Sequence, residues 1–434
     1  MNILIITPFY KQDKCIGSVR WTNLAQRLSK RHKVIVVAQP LDDMDMSFSK
    51  EDEDNLTIAR MNQKTIYEKI AVKLFHGATG YDIDISDEIE DKKVTNNESV
   101  SRKIKNKLFY STMKSKAKSY ASFIVKNVIP KGTIIDVVIS SACPFIEMLF
   151  GYELKKRLGC KWISDFRDLP FVEDNCDDTH IQKRIMQSVL KDADAVITIA
   201  NKGKEKLLSE EVFDDYEKIH VIRNGFSLAD ARETTTIKDD KLHIVHTGSL
   251  YGGSRRANLF FDAVSKAKRI NPAFNYILEC AGGNNQTLVN TAREFGEEDN
   301  VDNKGFVSRE DALNMQSYAD ILLALVSKTP GSFSAKIFEY VLNKKPIVCV
   351  SCGSNYEGEE TRFINDANLG IAVDESNYDR DSQLLCDYLL RQFNNKKCGI
   401  ALDYNPIQEM IDDNNIDVIC KEINQLILST CSER

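Results

Sequence analysis

The chain has no long hydrophobic run. Its longest apolar stretches, such as 321–326, fall far short of the roughly 18 residues that a membrane-spanning helix needs. The apolar run 3–6 is too short for the hydrophobic region of a secretory leader and is soon followed by charge. Basic excess is also missing. The net charge of -6 gives no reason to expect nucleic acid as a partner. Nor is there a framework of paired cysteines. The 11 cysteines are odd in number and scattered, which reads as free thiols in a reducing cytosol. Cys349 and Cys352 have C-x-x-C spacing, but no second Cys/His pair stands nearby at zinc spacing, so they read as core thiols. No Gly-Lys-Ser/Thr follows a glycine-rich turn, so there is no P-loop. No Asp-x-Asp metal motif stands at a strand end, since Asp82-Ile-Asp84 lies in an acidic stretch without periodicity.

What is present is an ordinary globular composition, with 42% apolar and 28% charged residues. At about 100–200 residues per domain, 434 residues suggest two or three domains. The first forty residues read strand (3–6), loop, amphipathic helix and strand (34–38), a compact β-α-β unit with parallel pairing. The helix starts near Ser18, with Val19, Leu24, Ala25 and Leu28 as its main apolar positions. Residues 41–100 are polar and weakly periodic, and irregular structure is expected there. The rhythm resumes with strands at 136–140, 162–165, 195–199 and 220–222 and a helix at 145–158. A polar stretch at 226–241 reads as an interdomain linker. A second series then places strands at 242–247, 276–279, 321–325, 346–350 and 371–373. The pattern is α/β: two doubly wound, Rossmann-like domains, 1–225 and 242–410, with a final helix at about 411–434 returning to the first. Ligands in such sheets bind at the carboxyl ends of the strands. Domains facing across a cleft would put the site between them.

Three loops at strand ends carry candidate residues. Gly17 precedes the first helix, which carries Arg20, and glycine lets a backbone N–H approach an anion. The same loop also suits a plain βα turn. HTGSLYGGSRR, residues 246–256, places glycines after a buried strand and then two arginines, Arg255 and Arg256, before a helix. Guanidinium forks suit a diphosphate, and cations sit poorly at a helix start unless an anion joins them. In PGSFSAKIFEY, residues 330–340, Ser334 is positioned as an N-cap, and Lys336 and Glu339 sit one turn apart. They read either as an i,i+3 surface ion pair or as a phosphate contact and a ribose acceptor.

The ordered set NILIITPFY, GSVRWTNLAQRLSKRHKVIVVA, DFRDLP, DADAVITIA, VIRNGF, HTGSLYGGSRR, GFVSREDALNMQSYADILLAL and SAKIFEYVLNKKPIV resembles bacterial GT-B glycosyltransferases. It is most similar to the large retaining family four of capsule, O-antigen and exopolysaccharide assembly. The resemblance spans most of the chain and is weakest over 41–135. It implies a nucleotide-sugar donor held by the C-terminal domain. Arg255 or Arg256, with Lys336, would hold the diphosphate beside Gly248. Glu339 would hold the ribose, with backbone contacts at Ile337 and Phe338. Phe306 and Val307 would lie beside the base, and the loop at Gly17 would close over the phosphates. On the N-terminal side Arg20, Asp165, Arg167 and Asp168 would line the cleft toward a glycan or glycolipid acceptor, with Asp168 nearest the chemistry. DFRD reads equally well as an internal Asp–Arg network. Two departures stand out: Gly331 replaces a glutamate, and Met148 takes the place of a histidine.

The implied reaction is glycosyl transfer from a nucleoside diphosphate-sugar, UDP-sugar favoured, with retention and without a metal. The alternatives are a nucleotide-sugar 2-epimerase and an inactive subunit of a polysaccharide complex. One further feature is odd in an acidic protein: between 102 and 131 nine basic residues and no acidic one are interleaved with Leu108, Phe109, Tyr110, Phe123 and Ile124. It reads as a helix with a solvated lysine face, or as a docking surface for anionic membrane on an otherwise cytoplasmic protein.

Overall fold

Runs such as Ile3–Ile6 and Val34–Ala38 have no polar face to offer solvent, so they lie inside a parallel sheet. The computed structural model describes residues 1–11, 16–40, 48–61, 100–142, 145–169, 179–250, 255–283, 285–328, 332–353 and 358–432. The chain divides into one unit of Met1–Arg223 with Cys420–Arg434, and a second of Asn224–Thr329 with Phe333–Ile419.

The first unit is built on β1 (Asn2–Ile6), β2 (Lys33–Ala38), β3 (Phe48–Glu53), β4 (Leu56–Met61), β5 (Val137–Ala142), β6 (Lys161–Phe166), β7 (Ala195–Thr198) and β8 (Ile219–Val221). Their order is β3-β4-β2-β1-β5-β6-β7-β8, and every pair is parallel except β3–β4. The helix Val19–Leu28 follows β1 and buries Leu24, Ala25 and Leu28 as its periodicity requires. It also buries Trp21 and, unusually, Arg20.

The second unit holds β9 (Leu242–Thr247), β10 (Tyr276–Ala281), β11 (Val301–Gly305), β12 (Ile321–Ser327), β13 (Ile347–Cys352) and β14 (Gly370–Asp374), in the order β11-β10-β9-β12-β13-β14. All of its pairs are parallel. In both sheets the chain winds outward from one central strand, β1 or β9. The flanking crossovers then run in opposite directions and leave a crevice at the carboxyl ends.

Several expectations need correction. Part of the stretch expected to be irregular is the β3–β4 hairpin, and β4 extends the parallel sheet beside β2. Strand β11, a polar edge, went unread. By contacts the second unit begins at Asn224 and takes in the stretch 226–241. The final helix is Ile416–Ser432, and it passes to the first unit at Cys420. The basic segment forms the helix Val100–Phe123 and a π turn Ile124–Val128. Ala117, Tyr120, Ala121, Ile124 and Val128 join the core of their own unit, with Phe123 packed against it. Ile124 and Phe123 are therefore core residues, not side chains held ready for a bilayer. Leu108, Phe109 and Tyr110 have side chains outside the described residues, as do Asp82, Asp84 and Gly331. Cys349 and Cys352 are buried thiols on β13. Among the described residues, no helix is long and apolar enough to cross a membrane.

Candidate functional site

The site is built at the carboxyl end of β9. Thr247 ends that strand and Gly248 follows with φ +130, a conformation that favours glycine. A Cβ on Gly248 would fall 1.6 Å from Lys336 Nζ. The absence of a side chain there is what lets Lys336 lie against the loop. Behind the loop is a buried polar scaffold. Tyr340 Oη accepts from the Thr247 amide at 3.0 Å and donates to the Leu323 carbonyl at 3.3 Å. Gln316 Nε2 donates to Thr247 Oγ1 at 2.9 Å, and Asn343 Nδ2 donates to Gln316 Oε1 at 3.2 Å. These bonds fix the turn by groups from β9, the helix Arg309–Tyr318 and the helix Ala335–Tyr340.

Lys336 is the residue that stands apart. Its stem keeps partial exposure, but Nζ is shut off from solvent and, among the described residues, has no hydrogen-bond or ion-pair partner. Burial, with the Arg255 charge beside it, pulls its pKa down to about 7, and Glu339 opposes this. Arg255 donates to the Ser249 carbonyl at 3.1 Å. Two like charges share one buried corner, which is costly unless an anion joins them. Next to them His246 is fully buried, with Nδ1 donating to the Leu323 carbonyl at 2.9 Å. Burial and the neighbouring Lys336 charge push its pKa down to about 3, so it is neutral. Glu360 is buried too. Its Oε1 accepts from the Ser334 amide at 3.0 Å, and burial raises its pKa to about 7. Ser334 is the residue before the helix, as its position suggested, but its own side chain makes no capping bond.

Glu339 does not pair with Lys336. Its Oε1 accepts from Arg309 Nη2 at 3.0 Å. Arg309 in turn grips Asp230 with both arms, at 3.0 and 2.9 Å. Neither Arg309 nor Asp230 was singled out from sequence. The argument applied to Arg255, three residues before the helix Asn258–Ile270, would have found Arg309, a cation at the first position of its own helix. Asp230 lies 79 residues away from it, beyond any local pattern.

The remaining candidates divide. Phe306 follows β11 and is 75% exposed, with Val307 half-buried beside it. Ile337 and Phe338 turn their side chains inward, and Phe338 stacks on Phe333 at 5.0 Å. That anchors the helix and leaves its backbone as the part able to meet a ligand. Arg256 turns instead to Glu375, which both Nε and Nη2 bond, and its side chain is about half exposed. In the first unit Arg20 and Asp165 turn out to be a buried pair rather than a substrate surface. Arg20 bonds both Asp165 oxygens, at 3.3 and 3.1 Å, and also the Arg223 carbonyl at 2.5 Å. Trp21 Nε1 donates to Asp165 at 2.8 Å. Arg167 donates to the Gly17 carbonyl at 2.9 Å, and a Cβ at Gly17 would collide with that guanidinium at 2.3 Å. Asp168 is exposed at the end of this loop, and Met148 is buried in the core.

No protein-family model and no curated protein matches the chain. Solved structures do. Sucrose-phosphate synthase from Thermosynechococcus elongatus superposes with a TM-score of 0.66 at 13% identity, covering 100% of both chains. The E. coli trehalose-6-phosphate structure bound with UDP-2-fluoro glucose gives 0.66 at 11%, covering 98% of this chain and 99% of that one. A lipopolysaccharide outer core galactosyltransferase gives 0.55 at 15%, covering 99% of each. At such identities the likeness establishes the fold, which is GT-B: two Rossmann-like α/β units in one chain.

Proposed function

We propose that the protein is a glycosyltransferase that moves a sugar from a nucleoside diphosphate-sugar to an acceptor hydroxyl. The observation that carries this is the buried Lys336 Nζ, which has no hydrogen-bond partner among the described residues, beside Arg255 and under Gly248. A diphosphate supplies the missing negative charge. In the reaction the bond from the anomeric carbon to the diphosphate oxygen breaks, and the acceptor oxygen bonds that carbon. Lys336 and Arg255 neutralise the charge that develops on the leaving group. The acceptor proton passes to a departing phosphate oxygen on the same face, which gives retention without a protein base. Glu339 receives the ribose hydroxyls, and Phe306 and Val307 flank the base. The GT-B neighbours bear on the donor, since one of them is bound with a UDP-sugar. UDP is the favoured nucleotide, and no metal takes part.

Screening UDP, GDP, ADP and CMP by thermal shift tests the donor. One diphosphate should stabilise the fold, and Lys336→Ala should abolish that shift. No response to any of them would overturn the reading. Activity that survives EDTA supports charge neutralisation by side chains; activity lost and then restored by Mg²⁺ refutes it. An epimerase would turn over UDP-GlcNAc with no acceptor. The neutral, enclosed His246 is poorly suited to the acid–base step such an enzyme needs.

The wider setting we propose is bacterial surface polysaccharide assembly on a lipid-linked acceptor, for which the galactosyltransferase neighbour is an analogy. Attachment to anionic membrane would rest on charge, through exposed Lys114, Lys118, Lys126 and Lys131. Salt-reversible pelleting with anionic vesicles, but not neutral ones, is the expected result.

A further inference from the structure

We infer that Arg309 is a positioning residue that tunes Glu339 for ribose, and that Asp230 is the counter-charge that makes this possible. The inference rests on the reading of this corner as a nucleotide-sugar site. A carboxylate can hold a ribose diol only if it is ionised and has acceptor capacity to spare. Alone, Glu339 would fail the first condition. Its side chain is only 13% exposed, and burial raises its pKa. A single guanidinium facing it would restore the charge. It would also take both oxygens in the two-armed grip that such pairs favour. The structure avoids that outcome. Asp230 occupies the fork of Arg309 with both oxygens, so Arg309 gives Glu339 a single bond, on Oε1.

The three groups carry a net charge of one minus. Arg309 is also held charged: burial opposes this, but the bonds to Asp230 and the field of Glu339 outweigh it. Asp230 pushes Glu339 the other way, toward protonation, and Gln316 helps to hold it ionised. Among the described residues Lys336 and Tyr340 are the other titratable groups that feel Glu339. The Arg309 side chain starts the helix Arg309–Tyr318, three residues after the exposed Phe306. One helix start thus links the face offered to the base with the acid offered to the sugar.

The test is calorimetry on the full chain with the best-binding nucleoside diphosphate and its 2′-deoxy counterpart. The wild type should prefer the ribonucleotide by on the order of ten- to a hundredfold, the usual effect of one charged hydrogen bond. Arg309→Gln should bring the two toward parity near pH 6. The preference should return as pH rises and Glu339 ionises. Arg309→Lys, which keeps charge but not the fork, should lose part of the preference. Asp230→Asn should lose it too, although Asp230 contacts no sugar, because Arg309 then closes on Glu339 with both arms. Equal weakening of both nucleotides with an unchanged ratio would mean a merely structural role and would overturn the inference, as would a wild type with no preference. If Arg309→Gln does not fold, Asp230→Asn and Arg309→Lys decide. No binding of any diphosphate by the wild type overturns the site reading together with this one.

Discussion

Arg20 in the first unit and Lys336 in the second are both basic side chains drawn inside a sheet's carboxyl edge, and they end differently. Arg20 meets Asp165 and the Arg223 carbonyl, and its side chain is 2% exposed. Every charge there has an answer within the protein. Lys336 lies beside Arg255, another cation, feels Glu339 only through its field, and among the described residues its Nζ bonds no acid. A buried pair that is complete specifies structure. A buried cation left incomplete specifies a ligand, because its desolvation is repaid only when an anion arrives.

The largest expected effect falls on the complete pair. Asp165→Ala strands Arg20 and leaves Trp21 without its acceptor, and should destabilise the first unit by about 3–5 kcal/mol in urea unfolding. The second unit's nucleotide affinity should not change. If it does, the pair is not purely structural. Next comes Lys336→Met. It should weaken diphosphate binding by about 1.5–3 kcal/mol by calorimetry. The ligand-free midpoint should stay level or rise, because an unpaired charge has been removed from the interior. A marked fall in that midpoint would show that Lys336 has a partner in the protein.

A third effect is pH. The pKa of Lys336 lies near 7, below its ordinary 10.5. Between those values the unfolded chain holds the proton more tightly, so ligand-free stability gains from this group as pH rises. Binding of a diphosphate restores the proton. Affinity should therefore fall above pH 7, by up to about tenfold per unit, with proton uptake visible as buffer-dependent heats. Lys336→Met should flatten the profile. The smallest effect is Arg256→Ala, which breaks a half-exposed pair with Glu375. It should change stability by no more than about 1 kcal/mol and leave nucleotide affinity alone. A loss of affinity would return Arg256 to the phosphate corner.

What sequence disclosed follows from burial. β9, flanked on both sides, is buried at every position and keeps an apolar centre between His243 and His246, and the expected bounds of 242–247 match it to the residue. β11, V-D-N-K-G, sits at a sheet edge with half its surface wet, so it carries no apolar signature. β3 is an edge strand likewise, and β4 is interrupted by a buried Arg60 whose Nη1 bonds the Tyr10 and Gln39 carbonyls. Lys336, Glu339 and Gly248 were legible because each stands in a local pattern of turn and helix. Which arginine turns toward Lys336 was not. Arg255 and Arg256 are neighbours, and the choice depends on Glu375, 119 residues on. The Asp230 clamp was hidden for the same reason. Sequence shows what a segment offers, and a partner brought in by the fold decides which offer is taken.

The return of the last helix to the first unit sets a schedule for synthesis. Ile423, Leu426 and Ile427 are buried on that helix, and Asn424 bonds His32 at 2.7 Å. Roughly 200 residues separate Arg223 from Cys420. At about 5–20 residues per second a ribosome needs on the order of 10–40 s to make them. Throughout that interval the first sheet is already outside the ribosome with the seat of its final helix uncovered. The second unit, whose strands are contiguous in the chain, is complete before the first. A nascent chain stalled just short of the last helix should thus present a finished second unit and an unfinished, chaperone-prone first one.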